Sequence, residues 1–583
     1  MMSLCRFIGG ALAGALLFSN VAAFAAGPLD LVPKDAAIVG RLKVPQSTLE
    51  KVGNFVNQGA PGFGFVVLSQ ANQMGALISN TTLGGVELKQ DWYFAAFIEK
   101  NAAPSVVFIV PTNDEAALKE AVGNNFTYVT ADNWVAYSED AAAAELIAAC
   151  KSGKTKSIST TIDKRANSLF DDSDVSIHVN IAKLRSTYAE ELLSADKQLD
   201  DGIEGLKALT AGAAQPGMNV GAIWEMYGKL GHNLLQGARD SDSFSIGIKV
   251  SNEALTIDEL LVVGKGSDSD KFLQSHPTSD LSLIAKQPQS QFAYFAAHGD
   301  ASALMKWSLD MSRSMFADNA DMKAKMEALQ KDFSAIKIGA VAGSFGLNSP
   351  GPEGIVNGVI AMEVNPALKM RELSRKAMAE LKIEVPGVKQ EHKSKLDAEK
   401  VGDLTVDVVT TTQEYGDDLP GVEAQKKIIE VAYGKEGITQ RIANTSDTYL
   451  QTIGGGAEGM KLAIAAIKDP APAKPTAVAK SRSRQLEKAN LLFMIDLPNL
   501  ALKGAVIADE LSKAGTVPPL GAQIPVAQLK GLKLDSSFVT FAVGTEPLGV
   551  RLRTEVPSST VSGFFKIFQT VTTAGRGARG GAQ

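Results

Sequence analysis

Gly454-Gly455-Gly456-Ala457-Glu458-Gly459 matches the G-x-G-x-x-G spacing with which backbone N–H groups at a helix start hold a pyrophosphate. It follows an apolar stretch and opens a helical one, as such a site requires. A dinucleotide site also needs a second parallel strand carrying an acidic residue about 20 positions on. The chain instead enters a segment with Pro470, Pro472 and Pro475, so the glycines read as a tight strand-to-helix turn and no cofactor is expected. Gly153-Lys154-Thr155 has the ending of a phosphate-binding loop. Ala148 stands where that loop needs a glycine, however, and a helical stretch precedes it, so it reads as a solvated linker.

His178, His232, His276, His298 and His392 include no pair at metal-ligand spacing, and Cys150 has no neighbouring cysteine, so no metal is expected. His298-Gly299-Asp300-Ala301-Ser302 gathers the residue types of nucleophilic catalysis. A triad is assembled in space, not along the chain, and Asp300 and Ser302 fall where a helix begins, so capping accounts for them. Asp171-Asp172, Asp240-Ser241-Asp242 and Asp268-Ser269-Asp270 lack the glycine-containing loop of a calcium hand and read as turns and caps. Met305, Trp307, Met311, Met315 and Phe316 form a stripe that reads as core, with an apolar ligand groove as the alternative. Arg576 and Arg579 are too few to hold a polyanion. No catalytic, cofactor-binding or metal residue is therefore assigned.

The elements that would position these residues repeat. Pro33 precedes the apolar Ala36 to Val39 as Pro288 precedes Phe292 and Ala293, a residue without an N–H standing just ahead of a strand. In the first half a helix at 46–58, strands at 92–99 and 105–111, and a helix at 115–122 capped by Asn113 or Asp114 follow. The second half has strands at 336–344 and 355–364 and a helix from Ala367. Each half continues with a hairpin and a helix, 126–149 and 438–467, then an irregular linker, 151–164 and 469–484. A strand, helix, two strands and a helix close both halves, beginning at Val175 and at Leu491. Val175, Ile177 and Val179 alternate with Ser176, His178 and Asn180, which predicts one buried face. Ile223, Met226, Tyr227, Leu230 and Leu234 have the spacing of a single apolar helix face. The expected class is α+β: tandem duplicated halves, mainly antiparallel sheets with helices packed on one face.

Composition bounds the rest. With 583 residues, 45% apolar, 21% charged and a formal charge of −6, the chain is a folded, mildly acidic protein of more than one domain. It has no general attraction to nucleic acid or anionic lipid. Arg6, the apolar run after it and Ala23-Phe24-Ala25 read as an export signal cleaved after Ala25 or Ala26, which leaves Cys150 without a disulfide partner. No later stretch is apolar enough to span a bilayer. The expected organisation is a signal peptide at 1–25, halves at 26–277 and 278–571, and a disordered tail at 572–583.

Pro33-Lys34-Asp35-Ala36 leading into a strand, with repeated strand-helix-hairpin-helix units, resembles a group of exported bacterial proteins of unknown function. The resemblance implies export and no activity that transfers residue by residue. The function expected is an envelope or secreted binding or scaffold protein without catalysis. Its partner would be an unidentified protein or envelope component. The alternatives are a carrier of an apolar, lipid-like ligand and a hydrolase whose residues converge only in the fold.

Overall fold

The computed structural model describes residues 28–70, 73–210, 220–299, 320–380, 383–385, 388–416, 422–468, 476–513, 515 and 525–580. The export segment, Asp300, Ser302 and the stripe from Met305 to Phe316 lie outside them. The class is α+β with antiparallel strands, and two compact units divide the chain.

Unit 1 consists of Met1–Asp196, Leu234–Ser275 and Glu546–Phe565. Its strands are β1 (Ile38–Leu42), β2 (Trp92–Phe97), β3 (Ser105–Pro111), β4 (Thr127–Ala131), β5 (Trp134–Ser138), β6 (Val175–Val179), β7 (Ser241–Val250), β8 (Ala254–Val263) and, from near the C-terminus, β19 (Gly549–Pro557). They pair in the order β4-β5-β3-β2-β1-β6-β7-β8-β19. Neighbouring residues of β2 serve opposite cores, which is why the strand is apolar at nearly every position. Tyr93 and Ala95 pack with Ile147 and Phe170 of the helices Ala141–Lys151 and Lys164–Asp172. Trp92 packs with Val52, Phe55 and Leu118 of the helices Pro45–Gly59 and Glu115–Val122. Helices thus cover both faces of this sheet, not the single face expected.

Unit 2 consists of Lys197–Asn233, His276–Thr545 and Lys566–Gln583. Its strands are β9 (Ala293–His298), β10 (Lys337–Leu347), β11 (Val356–Asn365), β12 (Ile383–Val385), β13 (Val388–Val401), β14 (Leu404–Tyr415), β15 (Ile438–Asn444), β16 (Thr448–Gly454), β17 (Leu491–Ile495) and β18 (Val539–Glu546). The order is β12-β13-β14-β15-β16-β11-β10-β9-β17-β18. Its segment β15-β16-β11-β10-β9-β17-β18 repeats the unit 1 order β4-β5-β3-β2-β1-β6-β7. Hydrogen bonds repeat too: Asn180 N–H donates to the Ala37 carbonyl, and Asp496 N–H to that of Phe292. In unit 2 the main core gathers Tyr294, Leu492, Met494 and Met460.

Several expectations need correction. By its place in the sequence β19 belongs to the second half, yet it pairs with β8 over nine register positions from Gly549↔Val262 to Pro557↔Ala254. The helix Ser558–Gly580 runs into residues expected as a disordered tail, and Ala477–Ser483 of the linker is helical, capped by the Thr476 hydroxyl. Residues 383–401, for which the sequence suggested no element, hold β12 and β13. On the helix Val220–Asp240, Tyr227, Leu230 and Leu234 are exposed, and the glycines do the packing, Gly228 against Ile203 and Gly231 against Leu199. On β6, the polar residues Ser176 and His178 are buried as deeply as Val175, because the helix Lys164–Asp172 covers that face.

Candidate functional site

Where β6 and β8 end and β7 begins, unit 1 has a cleft of about 660 Å³. Three local devices build it. Asn180 stops β6 and caps the helix Ile181–Thr187, its side chain accepting from Lys183 N at 3.0 Å, which sets Lys183 in the first turn on the wall. Asp163 caps the helix Lys164–Asp172 by accepting from Arg165 N at 2.8 Å. Pro33 turns the chain into β1 and leaves Lys34 and Asp35 at the mouth.

His178 and Ser243 line the floor. His178 is 4% exposed, and burial pushes its imidazole down to about 4, so the ring is neutral at ordinary pH. Its Nδ1 lies 2.9 Å from Ser245 Oγ. Ser245 is fully buried, and no other side-chain partner is present for its hydroxyl among the described residues. A buried hydroxyl without an acceptor costs about 1–3 kcal/mol, so we assign the Ser245 hydroxyl as donor to Nδ1, the tautomer that puts the His178 proton on Nε2. Neither Nε2 nor the Ser243 hydroxyl has a partner among the described residues.

The charges on the wall are unequally occupied. Asp163 is held by Arg165 at 2.9 Å, and Arg165 also reaches Glu546 at 3.4 Å. Asp242 faces Arg185 at 3.5 Å. Lys34 and Lys183 form no ion pair with a carboxylate among the described residues and Asp35 forms none with a cation, whereas Lys265 lies within the electrostatic reach of the buried Asp270 carboxylate.

Unit 2 shows what this part of the sheet needs for folding alone. His178 lies between Val39 and Ser245, and the matching place in β17, between Tyr294 and Thr540, holds Met494. Asn499 stands three residues after its cap, Asp496, as Lys183 does after Asn180. Gln289 and Ser290 follow Pro288 as Lys34 and Asp35 follow Pro33. The fold therefore accepts apolar or neutral side chains at positions where unit 1 has an imidazole and two ammonium groups.

The residues singled out in the sequence go elsewhere. Gly454, Gly455 and Gly456 have φ of +67°, +67° and +60° between β16 and the helix Gly456–Lys468, and β16 is antiparallel to both neighbours, so the dinucleotide arrangement is absent. The Glu353 carboxyl lies over Gly456, where a phosphate would be repelled. Gly153 is the left-handed terminator of Ala141–Lys151, with Lys154 N donating to Ala149 O at 2.9 Å, a helix end and not a phosphate loop. His232 meets Asp200 at 2.9 Å and His392 meets Thr411 at 2.8 Å, while His298 ends β9. Burial pushes the Cys150 thiol up, away from the reactive thiolate. Asp240 accepts from Ser269 N and Asp270 from Gly266 N, as turn residues do. Among the described residues no group of three or more metal-binding side chains occurs, and no helix is long and apolar enough to cross a membrane. Comparison with family models, curated proteins and solved structures returned no match.

Proposed function

We propose that the chain is an exported, non-catalytic binding protein whose unit 1 cleft takes a small polar ligand. The observation that carries this reading is the pair of unpartnered polar groups on the cleft floor, His178 Nε2 and the Ser243 hydroxyl, below a volume of the size that small ligands occupy. Binding is favoured over hydrolysis because Ser245, the hydroxyl in contact with the imidazole, is fully buried and has no path to a substrate. An apolar carrier needs an apolar cavity with room in it. The apolar pocket among Leu404, Leu450, Ile464 and Ile467 has no room even for a water molecule.

The test is ¹⁵N NMR of the His178 ring in the purified protein, titrated with a panel of small polar metabolites. Saturable movement of the Nε2 resonance supports the reading, and a resonance unmoved by every member overturns it. Export rests on Arg6, the apolar run and Ala23 to Ala25. N-terminal sequencing of the protein from its native envelope fraction is expected to begin at Ala26 or Gly27, and an intact Met1 would refute cleavage.

A further inference from the structure

We infer that the unit 1 cleft selects a small organic anion, a carboxylate or phosphate monoester, gripped by Lys34, Lys183 and Lys265 and seated on the N–H of His178 and the hydroxyl of Ser243. This rests on the binding reading above and adds the chemistry of the ligand.

Charges are left over on the cleft wall. Lys34 and Lys183 line the cleft without an ion-pair partner and Lys265 is offset in part by Asp270, while two of the three lining carboxylates are engaged by Arg165 and Arg185. One lining carboxylate, Asp35, remains against Lys34, Lys183 and the partly offset Lys265, which leaves a positive balance on the wall. Like charges lining one concave wall repel each other, and an anion relieves that repulsion while gaining charge-assisted hydrogen bonds.

The floor agrees with the wall. In the tautomer assigned above, with Nδ1 accepting from Ser245 across 2.9 Å, His178 presents an N–H at Nε2, a donor suited to an anionic oxygen. Ser243 adds a hydroxyl that can donate as well. Asp35, at the mouth, suits a hydroxyl or ammonium on the far end of the same ligand. Unit 2 supplies the internal contrast, since Gln289, Asn499 and Met494 replace Lys34, Lys183 and His178 at matching positions. Two of the three lysines and the imidazole are thus additions to a shared frame and not requirements of it.

The experiment uses the full protein with succinate, glycerol 3-phosphate and the uncharged polyol erythritol as probes, read by calorimetry and by the His178 ring resonances. At least one anion is expected to bind saturably and to shift Nε2. Its Kd is expected to rise about tenfold in Lys183→Gln and in Lys34→Gln, since each removes one charge-assisted contact. Lys435→Gln, an exposed lysine of unit 2, is the control and is expected to bind as the parent does. Saturable binding of erythritol with no binding of either anion would keep the binding cleft and overturn the anion. Anion binding unchanged in both cleft variants would overturn the lysine assignment. No shift of His178 with any probe would overturn the inference together with the reading beneath it. Circular dichroism of each variant confirms that loss of binding is not loss of fold.

Discussion

His178 is a base that the fold holds unprotonated, and this has a thermodynamic consequence at the scale of one residue. Between its ordinary value of 6.5 and about 4 the unfolded chain takes up a proton that the folded chain refuses. Stability from this residue is therefore intact above pH 6.5 and falls as the pH drops through that window, by ~3 kcal/mol in all. Urea unfolding of unit 1 across the window is expected to show a shallower pH slope in His178→Gln, which retains a side-chain amide for Ser245 but does not titrate. Equal slopes would contradict the assignment. Asp407 poses the opposite case. Burial pushes its carboxyl up, but hydrogen bonds from Arg375 and Arg371 hold it well below the usual carboxylate range. Asp407→Asn leaves Arg371, 5% exposed, with less compensation and is expected to cost about 3–5 kcal/mol. Asp397→Asn, with its side chain 54% exposed beside the same arginines, is expected to cost less than about 1 kcal/mol, so denaturant midpoints should rank the two far apart. Neither residue was legible in the sequence as important. His178 sits in an alternating strand whose apolar residues suggested the other face as the buried one, and the covering helix comes from a different stretch of chain.

Elements were legible where their causes are local. Asp114 accepts from Ala117 N at 3.0 Å and starts the helix Glu115–Val122 where its position suggested, and β3 follows from the unbroken β-branched and aromatic run Val106 to Val110. β13 was hidden because Val388–Val401 is crowded with Lys and Glu, and only pairing with β12 and β14 makes it a strand. The glycine turn after β16 gives a prediction at this scale. A Cβ on Gly454, at φ +67°, would lie 2.0 Å from the Val356 carbonyl oxygen, so Gly454→Ala should destabilise by more than about 1 kcal/mol. Gly504, within the helix Leu497–Lys513 and with nothing near its Cβ position, should respond in the opposite sense, Gly504→Ala gaining about 0.5–1 kcal/mol. Thermal unfolding of the two variants tests the pair, and calorimetry with NAD and ATP is expected to be flat for the parent and for both. Saturable nucleotide binding lost in Gly454→Ala would restore the site that the antiparallel sheet argues against. A reciprocal pair marks the two sheets as well. Gly40 of β1 lies under the Phe94 ring of β2, whereas Phe295 of β9 lies over Gly343 of β10, the same cross-strand contact with the partners exchanged.

Across the whole molecule seven strands of each unit share one order, and β19 shows where reading halves from sequence stops working. Hydrophobic alternation reveals that Gly549–Pro557 is a strand, but the ladder that holds it is made of backbone groups common to every residue. Nothing in its side chains announces β8 as the neighbour except the complementary Arg553 and Asp258, which meet through two hydrogen bonds at 2.7 and 3.0 Å. Without β19, the β8 edge in unit 1 would present free N–H and C=O groups beside Leu260 and Val262, an edge prone to pairing with other chains. A chain ended after Thr545 is therefore expected to expose β8 while leaving β9, β10 and β17 protected, since the latter pair among themselves in unit 2. Hydrogen exchange read by mass spectrometry distinguishes the outcomes. Faster exchange confined to β8, β7 and their covering helices, with concentration-dependent association of the shortened chain, is the expected result. Unchanged protection of β8 would mean that β19 contributes nothing to unit 1. Uniform loss of protection through both sheets would mean that the two units do not unfold as separate bodies.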